Sequence, residues 1–282
     1  MKSILYAASC IILFASSCNE SNGSIQKERA LPENMIYSYD CVTQSSKANK
    51  ISDYLSKADE FINSVATSDI EVSDKEQNEF GDLFLKEAKK DKKFIIDNTN
   101  PLNEKLQFVL ANLLRVRENP SSLKYEIYLL TDTATINAYT VGGKIFVTSS
   151  IISRCKNDDQ LYAIIGHEIG HNEKEHIKSS LKQLKASNKY LGTDWGSTFL
   201  GVKKILTSSF NQKNEIESDY YGLDLTWKLG FDVCAIKSFW DDMANNEDHD
   251  LLRDFFSTHP YSDIRSACLV NHIKSNFKQT CR

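Results

Sequence analysis

The sequence predicts an α+β fold that is mainly helical, with a small antiparallel sheet and one helix carrying two histidines a turn apart. Three observations carry this expectation. Apolar residues recur at helical spacing up to about residue 115 and again from 158, the period falls to two between about 125 and 147, and Gly142-Gly143 joins the last two extended runs. The 282 residues are 41% hydrophobic and 10% aromatic with four prolines, which suffices for a buried core and excludes a disordered or collagen-like chain. Acidic residues number 38 against 34 basic, a net charge of -4. Without a dense Lys/Arg surface, nucleic acid is not the expected partner.

Met1-Lys2 is followed by an apolar run from Ile4 to Ala15 and then by Ser16-Ser17-Cys18. A membrane-spanning helix needs ~20 apolar residues, so residues 1–17 fit a signal peptide better than an anchor. Ala15, Ser16 and Ser17 before Cys18 resemble a bacterial lipobox, in which the cysteine is acylated and becomes the new first residue, although Leu is missing three positions before it. The expectation is an exported protein, in the periplasm or cell envelope, held to the membrane through a lipid on Cys18. An ordinary secreted protein cleaved nearby is the alternative. With Cys10 and Cys18 assigned to export, Cys41, Cys155, Cys234, Cys268 and Cys281 remain for up to two disulfides and one thiol. None has the close spacing of a zinc knuckle or redox pair.

Residues 18–45 are polar and irregular, as in a tether, and 46–282 form the expected folded domain, with N-terminal helices over 46–98 and a core over 99–282. Ile51, Leu55, Ala58, Phe61, Ile62 and Val65 follow helical spacing, as do Phe80, Leu83, Phe84 and Ala88. Pro101 opens a third helix, whose stripe of Leu106, Val109, Leu110, Leu113 and Leu114 ends before Asn119-Pro120. Tyr125, Ile127 and Leu129 then alternate with polar neighbours, and Ile136–Thr140 turns through Gly142-Gly143 into Ile145-Phe146-Val147, because a tight hairpin needs positive φ. From Asp158 helical spacing returns and continues past Ile177, with later helices over 213–229, 232–245 and 261–276 and a loop over 246–260. Residues 191–212, with Trp195, Phe199, Val202 and Leu206 in helical register, either pack on the core or form a lid or membrane-facing surface.

The chemistry lies in Gly166-His167-Glu168-Ile169-Gly170-His171. On a helix His167 and His171 stand only ~40° apart, one turn along one face, so both imidazoles reach one metal ion. Glu168, ~100° round, reaches a water on that metal. This pattern suits one Zn²⁺ per chain, which acidifies a bound water toward a pKa of ~7 and lets a neighbouring carboxylate take its proton. A third protein ligand is needed. His176 is rejected: the longer motif would require Gly at 174 and His at 177, where this chain has Lys174 and Ile177, and on a continuous helix His176 points ~140° from His171, onto the surface. Glu215 is the better candidate, with Asp219 four residues on along the same face to orient a ligand histidine, beside an apolar stripe of Ile216, Tyr220, Leu223 and Trp227. Gly222 would permit close helix packing, and Glu217 is the rival ligand.

These motifs resemble the HtpX and CAAX-prenyl-endopeptidase family of zinc metallopeptidases, in its soluble periplasmic, often lipoprotein, branch. The resemblance spans about 100–275 and includes Asn137-Ala138-Tyr139 before the Gly142–Thr148 hairpin, Glu215 with Asp219, and His259-Pro260 with Arg265. It implies a zincin-like fold, His167, His171 and Glu215 as zinc ligands, and Glu168 as general base and acid. His259 would reach the site on a loop, either on zinc in a closed state or on the oxyanion of a bound substrate. Asn137 and Ala138 would lie on an edge strand that pairs with an extended peptide. Long apolar helices and a C-terminal helical-repeat domain, known from other members, are not expected here. The implied function is a zinc endopeptidase acting on polypeptides, specifically unfolded or misassembled envelope proteins, with an envelope chaperone or assembly factor closed by His259 as the alternative. His176, His249 and His272 have no assigned role.

Radioactive palmitate fed to expressing cells should label this chain and leave Cys18→Ala unlabelled; equal labelling of both would remove the anchor from Cys18.

Overall fold

The computed structural model describes residues 27–43, 67, 69–131, 135–191, 210–244, 259 and 263–281. The segment 1–17, Cys18, the helical run 51–65, residues 192–209, His249 and most of the expected loop 246–260 lie outside the described residues.

The first described helices are a short turn, α1 (Asp40–Thr43), and α2 (Asp74–Ala88). Ser73 and Glu76 close a reciprocal capping box at the start of α2, satisfying two of the amides that a helix N-terminus leaves open. Helix α3 (Leu102–Arg115) follows Pro101, and its Leu106, Val109, Leu110 and Leu113 are buried in the main core.

The sheet has three strands, β1 (Glu126–Leu130), β2 (Ala138–Val141) and β3 (Lys144–Thr148), in the order β1-β3-β2. Gly142 and Gly143, at φ 52° and 84°, form the turn of the β2–β3 hairpin. A Cβ on Gly142 would fall 2.1 Å from the Gln77 carbonyl oxygen, because α2 crosses directly over this turn. The sheet is mixed, which corrects the expected antiparallel one: β1 pairs with β3 in parallel, Glu126 opposite Lys144. Alternation and a glycine turn specify the hairpin, but they carry no information on which side of it a third strand adds. Here β1 takes the outer side of β3, burying all five β3 residues and pairing Lys144 with Glu126 and Asp82. Among the described residues β2 pairs with β3 alone and is an edge.

Thr148 caps α4 (Ser149–Arg154), and Asn157 caps α5 (Asp158–Glu173). Helix α5 ends sooner than its spacing suggests. Glu175 is left-handed at φ 60°, and α6 (His176–Leu191) begins after it in a new direction. Asn211 caps α7 (Gln212–Lys228), followed by α8 (Cys234–Ala244) and α9 (Asp263–His272), which passes into a π-helical turn over Ile273–Phe277. No helix among the described residues is long and apolar enough to cross a membrane.

Helices α5 and α7 approach backbone to backbone. A Cβ on Gly166 would lie 3.0 Å from Gly222 Cα, one on Gly170 2.9 Å from Ser218 Cα, and one on Gly222 2.7 Å from the His167 amide nitrogen. Asn172 then fastens α5 to the hairpin, donating to Thr140 Oγ1 at 2.7 Å and accepting from the Gly143 amide at 3.2 Å.

Residues 27–43 are largely irregular, as expected of a tether, yet they are bonded to the body along their length. Arg29 donates to the Gly230 carbonyl, Tyr37 to Asp224, and the Asn276 amide bonds both the N–H and the C=O of Ile36. Cys41 is disulfide-bonded to Cys268 and Cys234 to Cys281, leaving Cys155 as a thiol. His272 is buried against Asp224 at 2.9 Å and stacks on Tyr220, so its role is to hold this arm-facing network together.

Because the three atoms nearest a Gly222 Cβ would all be backbone, Gly222→Ala should destabilise the protein by about 1–3 kcal/mol, read as a lower urea midpoint. An unchanged midpoint would mean that the helices are not held at this distance.

Candidate active site

The cap at Asn157 sets the start of α5, and from there the helical period carries His167 and His171 to the face that meets α7. Both histidines and Glu168 are buried, as are Glu215 and Asp219 on α7. His167 Nε2 and His171 Nε2 lie 3.0 Å apart, and Glu215 places one oxygen 3.5 Å from the first and the other 3.3 Å from the second. His259, also buried, brings Nδ1 to 3.3 Å from His167 Nε2 and 3.4 Å from Glu215. The four ligand atoms of His167, His171, Glu215 and His259 lie within 4.8 Å of one another.

This group fits a cation. Glu215 Oε1 and Glu168 Oε2 are buried and accept no hydrogen bond, while Glu215 Oε2 is paired with the Arg265 guanidinium. Buried oxygens left this way are costly unless something positive meets them. Asp219 Oδ1 sits 2.8 Å from His167 Nδ1, so in neutral His167 the proton stays on Nδ1 and the Nε2 lone pair faces the group. Imidazole nitrogens with a carboxylate are a donor set of zinc.

Arg265 balances the acids. Its Nε and Nη2 donate to the two Asp219 oxygens at 2.9 and 2.8 Å, its Nη1 lies 2.8 Å from Glu215 Oε2, and its guanidinium rests over the Trp240 ring. Although burial by itself raises a carboxyl pKa, the charge of Arg265 holds Glu215 well below the usual range and Asp219 below it too. Burial disfavours charge on His167 as well, but the neighbouring Asp219 and Glu215 carboxylates raise it to about 9; burial dominates at His171 and lowers it well below the ordinary value. Glu168 is raised by burial, which favours taking up a proton.

Glu217, the rival ligand, is not in the group. It faces the opposite side of α7's contact, with Oε2 3.0 Å from His176 Nε2 and Oε1 accepting from Tyr39. His176 is a correction: expected on the surface, it is buried, with Nδ1 3.2 Å from His171 Nδ1. The expectation assumed one continuous helix through Ile177, whereas the left-handed Glu175 turns the chain back and lays the first residue of α6 against the site. No glycine marks that reversal in the sequence.

Asn137 and Ala138 stand at the start of edge strand β2. The Asn137 backbone is bonded to Thr148, and the Ala138 carbonyl faces His259 Nε2 at 3.0 Å. His259 Nε2 is also 3.4 Å from Glu168 Oε1, so its ring lies between the edge strand, Glu168 and the metal-binding group. Two contributors escaped the sequence reading. Phe210 stacks on His171 with ring centres 4.1 Å apart, and Asn172 ties the site helix to the hairpin. Asn172 follows His171 directly, but nothing in its type or spacing names a partner thirty residues away.

Comparison with known proteins agrees with this geometry. The chain is 33% identical over 169 residues to Mitochondrial metalloendopeptidase OMA1 of Schizosaccharomyces pombe, covering 56% of this chain and 49% of that protein. It is 26% identical over 197 residues to Metalloprotease LoiP of Escherichia coli, covering 66% and 77%, and 25% identical over 182 residues to the Beta-barrel assembly-enhancing protease of Escherichia coli, covering 57% and 37%. The chain spans about half the length of the OMA1 proteins of the two yeasts. The sequence pattern of Peptidase family M48 matches residues 100–273, a stretch that holds β1 to β3, the two histidines of α5, Glu215, His259 and Arg265, and the chain belongs to that family.

Proposed function

We propose that this protein is a zinc-dependent endopeptidase that hydrolyses peptide bonds in unfolded or misassembled cell-envelope proteins. The observation that carries the reading is the convergence of His167 Nε2, His171 Nε2 and the Glu215 carboxylate, whose Oε1 accepts no hydrogen bond, beside an equally unbonded Glu168 Oε2. His167, His171 and Glu215 would hold the metal, which would supply Lewis-acid polarisation of the scissile carbonyl and a more acidic water. Asp219 keeps His167 in the tautomer that presents Nε2, and Arg265 keeps Asp219 and Glu215 ionised. Glu168, buried and raised in pKa, takes the proton of the attacking water and returns it to the leaving amine. The outer edge of β2, from Ala138 on, pairs with an extended peptide through main-chain bonds, a mode that accepts many sequences, and Asn137, whose backbone is held by Thr148, fixes the start of that edge. The name of the β-barrel assembly-enhancing protease and the signal-like segment 1–17 before Cys18 support an envelope substrate and a lipoprotein of the periplasmic branch.

Glu168→Gln should keep stoichiometric zinc and lose about 10²–10⁴-fold in the rate of cleaving an unfolded protein such as reduced casein. Absence of zinc from the purified protein, or full cleavage by this variant, would sink the reading.

A second reading rests on His259. Its ring bonds the Ala138 carbonyl and faces both Glu168 and the ligand group, so it stands where a peptide beside β2 must lie. The site is therefore closed in this conformation, as it would be in an envelope chaperone or assembly factor whose metal holds a resting state. His259→Ala should raise the cleavage rate of a short peptide several-fold. A fall in that rate would instead place His259 on the oxyanion, and protection of clients from aggregation by metal-free protein would favour the chaperone.

A further inference from the structure

We infer that His176, Glu217 and Tyr39 form a positioning relay that sets the tautomer and the orientation of the ligand His171; this rests on His171 holding the metal, as proposed above.

Two histidines of α5 turn Nε2 toward the ligand group, and each needs something on its other nitrogen. For His167 that partner is the Asp219 carboxylate. His171 has no carboxylate beside its Nδ1; it has another imidazole, His176 Nδ1 at 3.2 Å. Two ring nitrogens at that distance form a hydrogen bond only if one carries the proton and the other does not. Ambiguity of that kind would leave His171 free to present either an N–H or a lone pair to the metal.

Glu217 removes the ambiguity. Its Oε2 lies 3.0 Å from His176 Nε2, and an ionised carboxylate is an acceptor only, so His176 carries its proton on Nε2. His176 Nδ1 then accepts, His171 Nδ1 donates, and His171 Nε2 is left with the lone pair that a metal requires. Ser218 Oγ also lies 3.3 Å from His176 Nδ1, but a hydroxyl donates or accepts equally well, so the polarity is set by Glu217. At the outer end Tyr39 O–H donates to Glu217 Oε1 at 3.2 Å. The order is Tyr39 O–H to Glu217, Glu217 from His176, His176 from His171, and every donor has one acceptor.

The placement of these residues is specific. His176 arrives only because the chain reverses at Glu175, and Tyr39 arrives only because the N-terminal arm is fastened two residues later by the Cys41–Cys268 disulfide. Glu217 is two residues from Glu215 on α7, so one helix supplies a ligand on one face and the support for a different ligand on another.

Partners that orient a ligand histidine typically contribute 10–100-fold to metal affinity. The test is zinc affinity of the purified full chain, measured by competition with a chromophoric chelator, and the visible spectrum of the cobalt-substituted protein. Glu217→Ala and His176→Phe should bind zinc 10–100-fold more weakly and alter the cobalt spectrum. Glu217→Gln, which still offers His176 an acceptor oxygen, should recover most of the affinity, and Tyr39→Phe should lose only a small part. Thermal midpoints of the metal-free proteins report on folding separately. If wild-type protein binds zinc and Glu217→Ala binds it equally well, the relay is overturned while the metal site stands. If Glu217→Gln is as weak as Glu217→Ala, the acceptor role fails. If the wild type binds no zinc, the underlying site reading falls instead.

Discussion

The contact on which the rest depends is the approach of α5 and α7 at Gly166, Gly170 and Gly222. A Cβ at any of the three would meet the other helix's backbone at 2.7–3.0 Å, so the two helices lie closer than side chains normally allow. Only at that distance does a carboxylate as short as Glu215 reach both imidazoles of α5, and only then can Asp219 stand at hydrogen-bond distance behind His167. The same closeness dries the site, since His171 and Glu215 are sealed from solvent. Small residues here act on function through distance, with no chemistry of their own.

A dry site changes the electrostatics. Glu168, Glu215 and Asp219 are three buried acids on two helices, and burial alone would keep all three neutral. Arg265 divides them. It is bonded to Asp219 and beside Glu215, so these two are ionised, while Glu168 lies outside the fork and keeps the pKa that burial raises. One guanidinium therefore separates the buried carboxylates into two that are ionised and one whose pKa is raised. Arg265 itself is held by the Trp240 ring and by α9, which the Cys41–Cys268 disulfide anchors three residues further on.

That anchorage gives the N-terminal arm a place in the architecture. Arg29, Ile36, Tyr37 and Cys41 fasten it across α7 and α9, the two elements that carry Glu215, Asp219 and Arg265. The arm is irregular because its backbone groups are satisfied by side chains such as Asn276 in place of a strand or helix partner. A polar segment that looks like a tether in sequence thus packs as part of the domain that follows it.

The sequence by itself determined what short-range spacing can encode. His167, Glu168 and His171 share a helix, so their relation follows from 3.6 residues per turn, and Glu215 with Asp219 follows from the same rule on α7. The hairpin at Gly142-Gly143 was legible because only glycine takes both positive φ values readily. Tertiary structure decided everything that joins elements distant in the chain. The side of β3 on which β1 pairs depends on burying β3 between two neighbours, and no local pattern records it. The pairing of Cys41 with Cys268 spans 227 residues, and the fork of Arg265 onto Asp219 joins helices 46 apart in sequence. His176 shows the boundary most clearly: one left-handed residue, Glu175, turned a predicted surface histidine into a buried neighbour of His171, because a helix face predicts a direction only while the helix continues.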